Sequence, residues 1–452
     1  MAQQHSILWL RRDLQVADNA ALARALRSGA KVQPVFVFDT DVLVRFDNKK
    51  DRRISFIANA IAKLHADFKE RGGELLVFHG SAKNIIPKLG HDVFAGEDYE
   101  PSAKERDKHV GEKVNLTLVK EHLIKSPDEV LKSDQTPYKV FTPYSKAWKA
   151  ALKDEDVAIH RIADKDAYFK LKVPDGIKVI DAHDAKKICE QIGYEYFDED
   201  IWKVEDAHKV LEKFAAEKLN KYSKTRDLPA IHGTSQISPY LRFGLITIRQ
   251  AYKAGNTDAT WLNELIWREF YAMILNHFPE SVDKEFTPKY RGIKWSHDKA
   301  DFKKWQEGKT GFPIVDAGMR QLLETGWMHN RVRMIVASFL TKDLLIDWRW
   351  GEEHFAQYLM DYEQASNVGG WQWASSTGTD AAPYFRVFNP LLQSKKFDAD
   401  GEYIKTYIPE LRSAEKADVH EPSPITCPEN YPRQMVDHAT VKPKVLKLFK
   451  DL

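Results

Sequence analysis

The chain has 452 residues, 43% of them hydrophobic and 30% charged, with a formal net charge of +2 at pH 7, as in soluble globular proteins of two or three domains. Its longest apolar runs, such as SILWL, are far shorter than the roughly 20 residues that cross a bilayer, and its start, MAQQHSILWL, does not resemble a signal peptide. Only two cysteines are present, Cys189 and Cys427, which disfavours a disulfide scaffold or a thiolate metal site. We therefore expect a cytoplasmic protein with no bound metal.

The first part of the chain, residues 1–130, alternates between two kinds of pattern. Helical patterns such as NAALARAL separate the apolar runs, and this alternation predicts an α/β domain with a doubly wound parallel sheet. Such sheets bind ligands at the carboxyl ends of their strands. No G-x-G-x-x-G follows the first run, so we expect no nicotinamide dinucleotide site. The runs that predict strands are residues 7–10, 32–38, 74–80, 92–96 and 116–120.

The pattern then weakens into charged segments that contain proline, which predict a long connection with some short helices over residues 131–193. From residue 194 to 452 the periodicity is helical and strand patterns are scarce, which predicts an all-helical domain. Nine of the twelve tryptophans lie between Trp261 and Trp373. Composition alone favours a large aromatic core for them over a role in stacking or electron transfer.

Hydroxyl groups cluster in the segment YSKTRDLPAIHGTSQISPYLRFG, residues 222–244. Thr234, Ser235 and Ser238 follow Gly233 at a predicted helix start, where main-chain amides and hydroxyls suit phosphate oxygens. An ordinary helix cap of Ser and Thr residues explains the same pattern and is the commoner event.

A mixed polar and aromatic face is predicted for the helix WLNELIWREFYAMIL, residues 261–275. Glu264, Trp267, Arg268 and Tyr271 are spaced at i, i+3, i+4 and i+7 and so share one side of the helix. An ordinary ion pair on a surface helix could produce this pattern, but two large aromatic residues beside it favour a lined cavity.

Two further segments carry candidate binding residues. In residues 325–340, Asn330, Arg333 and Met334 share a helix face, where Asn can read a base edge and Met can pack under a planar ligand. A helix with a basic edge is an equally good interpretation. In residues 359–390, Trp371 and Trp373 point in different directions on a helix and should have different roles.

These four segments, in this order and spacing, resemble the photolyase/cryptochrome family. GGWQWASSTGTDAAPYFRVFNP and WLNELIWREFY are most similar to class I cyclobutane pyrimidine dimer photolyases, and LWLRRDLQVADNAAL resembles the family's opening strand and loop. The resemblance implies an antenna-type α/β domain, a connection and a helical FAD- and DNA-binding catalytic domain over the ranges given above. It also implies a monomer that acts on DNA containing cyclobutane pyrimidine dimers, is nucleoid-associated if bacterial, and has no membrane partner.

The resemblance implies non-covalent FAD in the helical domain. Arg333 and Asp361 would form a buried ion pair beside the isoalloxazine, and Asn367 would face flavin N5, where an amide can stabilise the reduced flavin. Plant cryptochromes carry Asp at that position. Glu363 replaces the family's usual Asp, which matters only if its carboxylate makes the contact. The implied FAD-binding residues are Tyr222, Thr234, Ser235, Gln236, Ile237, Ser238, Trp261, Arg268, Asn330, Arg333, Asp361, Glu363 and Asn367.

The reaction implied by the resemblance is electron transfer from excited, reduced FAD to a dimer flipped out of the duplex, followed by ring opening and return of the electron. Trp267 and Trp373 would pack against the lesion, Glu264 and Asn330 would bond the pyrimidine edges, and Met334 would make an apolar contact. Stacking can return about 1–3 kcal/mol per base, which offsets the cost of flipping. The residues implied to bind lesion or DNA are Arg226, Glu264, Trp267, Tyr271, Asn330, Arg331, Met334, Trp373, Arg386 and Lys396.

The resemblance also implies a chain of electron carriers, Trp371, Trp348 and Trp295, from FAD to the surface. These three, with Glu264 and Asn367, complete the implied catalytic residues. Trp350 and Trp305 could be packing residues or an alternative branch.

Two other functions compete with dimer repair. A cryptochrome, a light receptor without repair activity, is the main alternative, but the complete lesion pocket and the lack of a long extension after residue 411 favour repair. A (6-4) photolyase is disfavoured because it has histidines where this chain has the Asn330 region and Met334.

A second, light-harvesting cofactor is expected in the N-terminal domain. Folate-binding members have Asn-Glu where this chain has Ser102 and Ala103, which disfavours methenyltetrahydrofolate. A deazaflavin, a second flavin and an empty cleft all stay open.

Overall fold

The computed structural model describes residues 4–162, 167–199, 201–416, 418–423 and 425–452. Packing divides the chain into two compact units, each assembled from three stretches. The first unit consists of Met1–Gln135, Ser145–Glu217 and Ser235–Asn276, and the second of Thr136–Tyr144, Lys218–Thr234 and His277–Leu452. The predicted domain boundaries, after residues 130 and 193, stay a prediction.

A six-stranded sheet forms the centre of the first unit, in the order β5-β4-β1-β2-β3-β6. The first five strands are parallel, and β6 pairs antiparallel with β3. Buried parallel strands read as apolar runs, and all five predicted strands are present. The strands are β1 His5–Leu10, β2 Lys31–Asp39, β3 Leu76–Gly80, β4 Asp92–Gly96, β5 Leu116–Val119 and β6 Lys178–Ile180.

Strand β6 was not predicted from the sequence. It lies in the segment that was predicted to be a connection. It has three residues, and only Ile180 is buried. A short edge strand with exposed side chains has no apolar run to reveal it.

Helices pack on the sheet of the first unit, and further helices follow along the chain. Side-chain caps fix several of their starts; Asn19, for example, accepts a hydrogen bond from Leu22 N at 2.8 Å. The helices up to residue 277 are α1 Ala20–Arg27, α2 Thr40–Leu43, α3 Arg52–Glu70, α4 Ala82–Ile85, α5 Pro101–Gly111, α6 Phe141–Ala151, α7 Ala185–Gln191, α8 Ala207–Lys213, α9 Tyr222–Thr225, α10 Ser238–Arg242, α11 Ile248–Gly255 and α12 Ala259–His277.

The described part of the second unit consists of helices and irregular segments without a named strand, and its core surrounds the indole rings of Trp305, Trp348 and Trp371. A single π-helical turn, Phe339–Asp343, follows α15. Across the described residues, no helix combines the length and apolar character needed to span a bilayer. The later helices are α13 Lys299–Gln306, α14 Pro313–Thr325, α15 Asn330–Ser338, α16 Trp348–Tyr358, α17 Gln364–Ser375, α18 Pro390–Phe397, α19 Glu402–Tyr407 and α20 His438–Asp451.

Candidate active site

Helix α12 in the first unit presents the mixed face that its spacing predicts. Glu264, Trp267, Arg268 and Tyr271 are all half-buried, and the rings of Trp267 and Tyr271 lie 5.5 Å apart. The apolar side of the helix is buried, as Leu265, Ile266 and Met273 show. The partly open face therefore carries a carboxylate, a guanidinium and two aromatic rings.

Glu269, on the buried side of α12, was not identified as a site residue from the sequence. Its carboxylate accepts hydrogen bonds from the Trp148 indole and from the main-chain N–H groups of Ile124 and Lys125. Burial raises its pKa to about 7 despite these three donors. Arg268, which precedes Glu269 in the chain, donates a hydrogen bond to the main-chain oxygen of His122. Together these bonds fix the rotation of α12 within the first unit.

The hydroxyl-rich segment is divided between the units. Thr234 ends a stretch of the second unit, and Ser235, Gln236, Ile237 and Ser238 begin a stretch of the first. Helix α10 starts at Ser238 without a side-chain cap. The hydroxyl groups of this segment therefore do not form the ordinary helix cap that was the alternative interpretation. Gln236 has a left-handed backbone, with φ of 54°. Between residues 234 and 238 only Ile237 is deeply buried, and the four polar side chains stay partly exposed.

Trp261 is buried in the first unit, where its indole donates to the main-chain oxygen of Ala251 at 3.1 Å. The ring also packs against Phe214 with a centroid distance of 4.7 Å. Its N–H group is therefore engaged by the protein itself, which leaves the ring face as the part that could touch a ligand.

An ion pair joins α15 to the segment before α17 in the second unit. Arg333 Nη2 lies 2.8 Å from Asp361 Oδ2 and 3.1 Å from Oδ1, and Arg333 Nε donates to Met328 O at 2.8 Å. The Asp361 side chain is 6% exposed and that of Arg333 25%. The predicted pair is formed, with a buried carboxylate and a partly open guanidinium.

Asn367 is buried near the start of α17. Its Nδ2 donates to the main-chain oxygen and to Oε1 of Glu352, at 3.0 Å in both cases. Because a main-chain oxygen only accepts hydrogen bonds, these contacts fix which end of the amide is nitrogen. Tyr362 Oη donates to the same Glu352 Oε1 at 3.2 Å. The sequence analysis did not identify Glu352 as a site residue.

Glu363, the residue that departs from the family pattern, is the N-cap of α17. Its main-chain oxygen accepts the N–H of Asn367 at 2.9 Å, and its Oε2 accepts from Ser366 Oγ at 3.3 Å. Both its backbone and its side chain therefore support the first turn of α17.

The start of α15 groups several of the predicted DNA-binding residues. Asn330 is exposed and Met334 half-buried, with Asn330 Nδ2 3.9 Å from Met334 Sδ. Arg331 pairs with Asp227 at 2.9 Å and lies 4.4 Å above the Phe397 ring. These contacts place an amide, a thioether and a cation on neighbouring turns of one helix.

Other predicted DNA-binding residues of the second unit lie close to this group or at the surface. Lys396 is exposed and lies 5.0 Å from the Phe397 ring, on which Arg331 also packs. Arg386 is exposed, and Arg226 lies 5.6 Å from the ring of the buried Tyr222. The structure thus gathers Arg331 and Lys396 around one ring but does not bring Arg386 into that group.

Trp371 and Trp373 point in different directions from α17, as their spacing predicts. Trp371 is 2% exposed and packs edge-on against Phe355 and Trp305, at 5.0 and 6.0 Å. Trp373 is half-buried and has Phe388 6.4 Å away. Trp371 belongs to the core, whereas Trp373 keeps part of its ring accessible.

The comparisons with known proteins match this arrangement. Residues 261–451 match the model described as the FAD binding domain of DNA photolyase, and residues 6–162 match that of DNA photolyase. A deoxyribodipyrimidine photo-lyase of Alkalihalophilus pseudofirmus is 39% identical over 98% of this chain and 97% of its own length. The chain belongs to the photolyase/cryptochrome family.

Solved structures of this family agree with the fold. A bacterial class III photolyase from Agrobacterium tumefaciens superposes with a TM-score of 0.88 at 32% identity, covering 100% of this chain and 98% of its own. An archaeal photolyase from Sulfolobus tokodaii, solved with two FAD molecules, has a TM-score of 0.83 at 29% identity, covering 99% of this chain and 100% of its own. The predicted family and fold, a parallel-sheet α/β part and a helical FAD-binding part, are confirmed. The assignment to class I stays a prediction.

Proposed function

We propose that the chain is a deoxyribodipyrimidine photolyase, a lyase that uses light and FAD to reverse cyclobutane pyrimidine dimers in DNA. Full-length similarity to photo-lyases from several bacteria supports this function. The observation that carries it is the pairing of that similarity with two fixed polar groups in the second unit. These are the Asn367 amide held by Glu352 and the Arg333–Asp361 ion pair.

The side chains present suit a flavin. The amide nitrogen of Asn367 is engaged by Glu352, so its Oδ1 is the atom left to accept a hydrogen bond from a ring N–H. The partly open guanidinium of Arg333 can face a polar ring edge while Asp361 balances its charge. When bound, FAD supplies the one-electron chemistry, and the protein orients it and tunes its electronics.

The proposed FAD contacts are Tyr222, Thr234, Ser235, Gln236, Ile237, Ser238, Trp261, Arg268, Asn330, Arg333, Asp361, Glu363 and Asn367. The hydroxyl and amide groups of residues 234–238 are partly exposed and suit the phosphate oxygens of a dinucleotide.

Recognition of the lesion is assigned to a second set of side chains. Trp267 and Tyr271 on α12, and Trp373 on α17, keep part of their rings accessible and can stack on unpaired pyrimidines. Glu264 and Asn330 can bond the polar edges of the bases, and Met334 offers an apolar contact.

Contacts to the DNA backbone are assigned to arginine and lysine residues of the second unit. Arg331 and Lys396 both lie near the Phe397 ring, at 4.4 and 5.0 Å from its centre, and Arg386 and Arg226 complete the set. Such contacts fix the protein on DNA without reading sequence. We expect the enzyme to act as a monomer.

The experiment that tests this function is repair of a thymine-dimer oligonucleotide by purified, chemically reduced protein under blue light. We expect one FAD per chain, released by heat or acid, and loss of the dimer only in the light. Protein that binds FAD yet leaves dimers intact would support the cryptochrome alternative. Folded protein that takes up no FAD would refute both.

A second cofactor is proposed for the carboxyl edge of the sheet in the first unit. Arg11 follows β1 there and pairs with Asp107 of α5, and the Trp9 ring has Arg11 and Arg106 at 4.7 and 5.0 Å. Asp39, at the end of β2, keeps a buried Oδ2 without a hydrogen-bond partner among the described residues. Edges of this kind bind planar, charged ligands.

The identity of this cofactor stays open between a second flavin and a deazaflavin, with an empty cleft as the third outcome. The Sulfolobus tokodaii photolyase holds two FAD molecules, which makes a flavin a reasonable occupant here. Ser102 and Ala103, in the first turn of α5, disfavour the folate. Mass spectrometry of cofactors released from native protein tests this, and recovered methenyltetrahydrofolate would show the assignment to be wrong.

A further inference from the structure

One buried carboxylate in the second unit contacts two of the three tryptophans proposed to carry electrons. Glu285 Oε1 accepts the indole N–H of Trp295 at 3.2 Å and that of Trp348 at 3.3 Å. The Glu285 residue is 3% exposed. One side chain thus links the middle and outer members of the proposed chain.

The charge of Glu285 is maintained by Arg349. The guanidinium binds both carboxylate oxygens, with Nη1 3.1 Å from Oε1 and Nη2 2.9 Å from Oε2. Burial opposes ionisation, but Arg349 and the Trp295 N–H outweigh it, so the pKa of Glu285 is lowered. Glu285 is therefore a carboxylate at neutral pH.

The other two indoles of this core have different surroundings. Trp305 donates its N–H to the neutral main-chain oxygen of Val336 at 3.1 Å. The Trp371 N–H, within the described part of the chain, has no hydrogen-bond partner. Neither ring has a carboxylate on its nitrogen.

Ring contacts alone would favour electron transfer from Trp305 to Trp371 over transfer from Trp348. Trp371 touches Trp305 at 6.0 Å. It also packs closely on Gly351 of α16, where a Cβ atom would come within 2.1 Å of the ring. Trp348 is one helical turn before Gly351 and so lies on the same face of α16. Trp371 therefore has two neighbouring routes, one through Trp305 and one through Trp348.

Loss of an electron leaves a positive charge on an indole, and a carboxylate bonded to its N–H stabilises that charge far better than a neutral carbonyl does. We propose that Glu285 is a positioning residue that directs the electron path through Trp348 and Trp295 and away from Trp305. The inference rests on the proposed function, because it presumes that Trp371 is the first electron donor.

Arg349 also gives the path a direction. Its guanidinium lies 4.7 Å above the Trp348 ring, where it disfavours a positive charge on that indole. No cation lies over the Trp295 ring in the described part of the chain. The positive charge is therefore more stable on Trp295 than on Trp348, and Trp295 is its end point.

The electrons balance as a series of single transfers. With FAD bound, Trp371 would give one electron to the light-excited oxidised flavin, Trp348 would give one to Trp371, and Trp295 would give one to Trp348. An added thiolate would then give one electron to Trp295 and leave as a thiyl radical, and two such radicals couple to a disulfide. Within the protein no covalent bond forms or breaks, and each indole keeps its N–H proton, hydrogen-bonded to Glu285 in Trp348 and Trp295.

The test compares Glu285→Gln, which keeps the size and removes the charge, with the wild type and with Trp305→Phe. We expect photoreduction of oxidised flavin in the presence of thiol to slow about tenfold in Glu285→Gln and to stay unchanged in Trp305→Phe. Glu285→Asp, which keeps the carboxylate, should restore part of the rate. Unchanged photoreduction in Glu285→Gln, or a loss in Trp305→Phe, would overturn the inference.

A second readout does not depend on flavin chemistry. In nitrogen–hydrogen correlation spectra, the indole N–H signals of Trp295 and Trp348 should both shift in Glu285→Gln, whereas that of Trp305 should not. If Glu285→Gln does not fold, Arg349→Gln replaces it. Loss of the guanidinium should raise the pKa of Glu285 and slow photoreduction in the same direction as Glu285→Gln, and unchanged photoreduction would count against the inference.

Trp371→Phe separates a failure of the proposed Glu285 role from a failure of the tryptophan chain itself. If Trp371→Phe blocks photoreduction and Glu285→Gln does not, only the role of Glu285 is wrong. If neither variant affects photoreduction, the proposed tryptophan chain itself is wrong.

Discussion

Asn367 donates its Nδ2 hydrogens to two oxygens of a single residue, the main-chain oxygen and Oε1 of Glu352, each at 3.0 Å. The two residues are 15 positions apart and lie on adjacent helices, α17 and α16. Their contact determines which end of the amide is presented to a ligand. The orientation of Asn367 therefore depends on Glu352.

Glu352→Ala removes one of these two acceptors and allows the amide to turn. We expect reduced FAD to be reoxidised by air about fivefold faster, since one hydrogen bond is worth about 1 kcal/mol. The measurement is the recovery of oxidised flavin absorbance after chemical reduction. Glu352→Gln keeps an acceptor oxygen and is the matched control. Equal rates in both variants would contradict a role in holding the amide.

Asp361→Asn removes the charge that balances Arg333. Because the Asp361 side chain is only 6% exposed, an unpaired guanidinium would be left beside a buried neutral group, which is costly. We expect FAD retention to weaken by about tenfold or more, measured by the flavin fluorescence released on dialysis. Asp227→Asn, which removes the more exposed partner of Arg331, should leave flavin retention unchanged.

Much of the fold could be predicted because its elements are determined by local patterns. The five parallel strands are apolar runs, and the mixed face of α12 follows from i, i+3, i+4 and i+7 spacing. Strand β6 could not be predicted, since it pairs with β3 through its main chain and two of its three side chains are exposed, which leaves no local signature.

The polar contacts of the candidate site could not be predicted from residues alone. Glu269 binds Trp148 across 121 positions, and Glu285 binds Trp348 across 63. A charged residue at a buried helix position is the only signal for Glu269, and Glu285, in an irregular segment, has not even that. Partners so distant in sequence are brought together by packing. The resemblance to a known family identified Asn367 and Trp371, but not the carboxylates that orient them or their neighbours.

Trp267→Ala removes an accessible ring from the mixed face of α12. Stacking is worth about 1–3 kcal/mol per base, so we expect affinity for a thymine-dimer oligonucleotide to fall by about fivefold to about 150-fold, while affinity for undamaged DNA is unchanged. Glu264→Ala should slow repair more than it weakens binding. Fluorescence anisotropy and single-turnover repair measure the two effects. Equal losses on damaged and undamaged DNA would contradict lesion stacking.

Lys396→Ala tests the backbone contacts. Removal of one phosphate contact should weaken binding to damaged and undamaged DNA alike and reduce the slope of log affinity against log salt by about 1. Lys303→Ala, an exposed lysine of α13, is the control and should change neither. An unchanged salt slope in Lys396→Ala would remove that residue from the DNA contact.

Glu269→Gln tests the buried carboxylate behind α12. The folded-state pKa of about 7 lies above the ordinary value of 4.5, so the folded chain holds the proton in this window and stability falls as pH rises through it. Gln does not titrate. Thermal unfolding from about pH 5 to about pH 8 should therefore show the variant gaining stability relative to the wild type as pH rises. A difference that is constant with pH would contradict a raised pKa at Glu269.

Trp371→Phe tests the first step of the proposed electron chain. Trp371 is 2% exposed and fills space between Gly351, Phe355 and Trp305, and Phe keeps an aromatic ring there, so we expect folding to survive with a modest loss of stability. Phenylalanine is much harder to oxidise than indole, so photoreduction of oxidised FAD with an external thiol should slow strongly. Repair itself does not use this chain, so the variant should repair dimers at the wild-type rate once its flavin is chemically reduced. Trp348→Phe and Trp295→Phe should show the same separation, followed by flavin absorbance under blue light and by dimer loss. Normal photoreduction in all three variants would exclude the chain while leaving the repair function untouched, whereas slow repair after chemical reduction would show that these rings also support the active site.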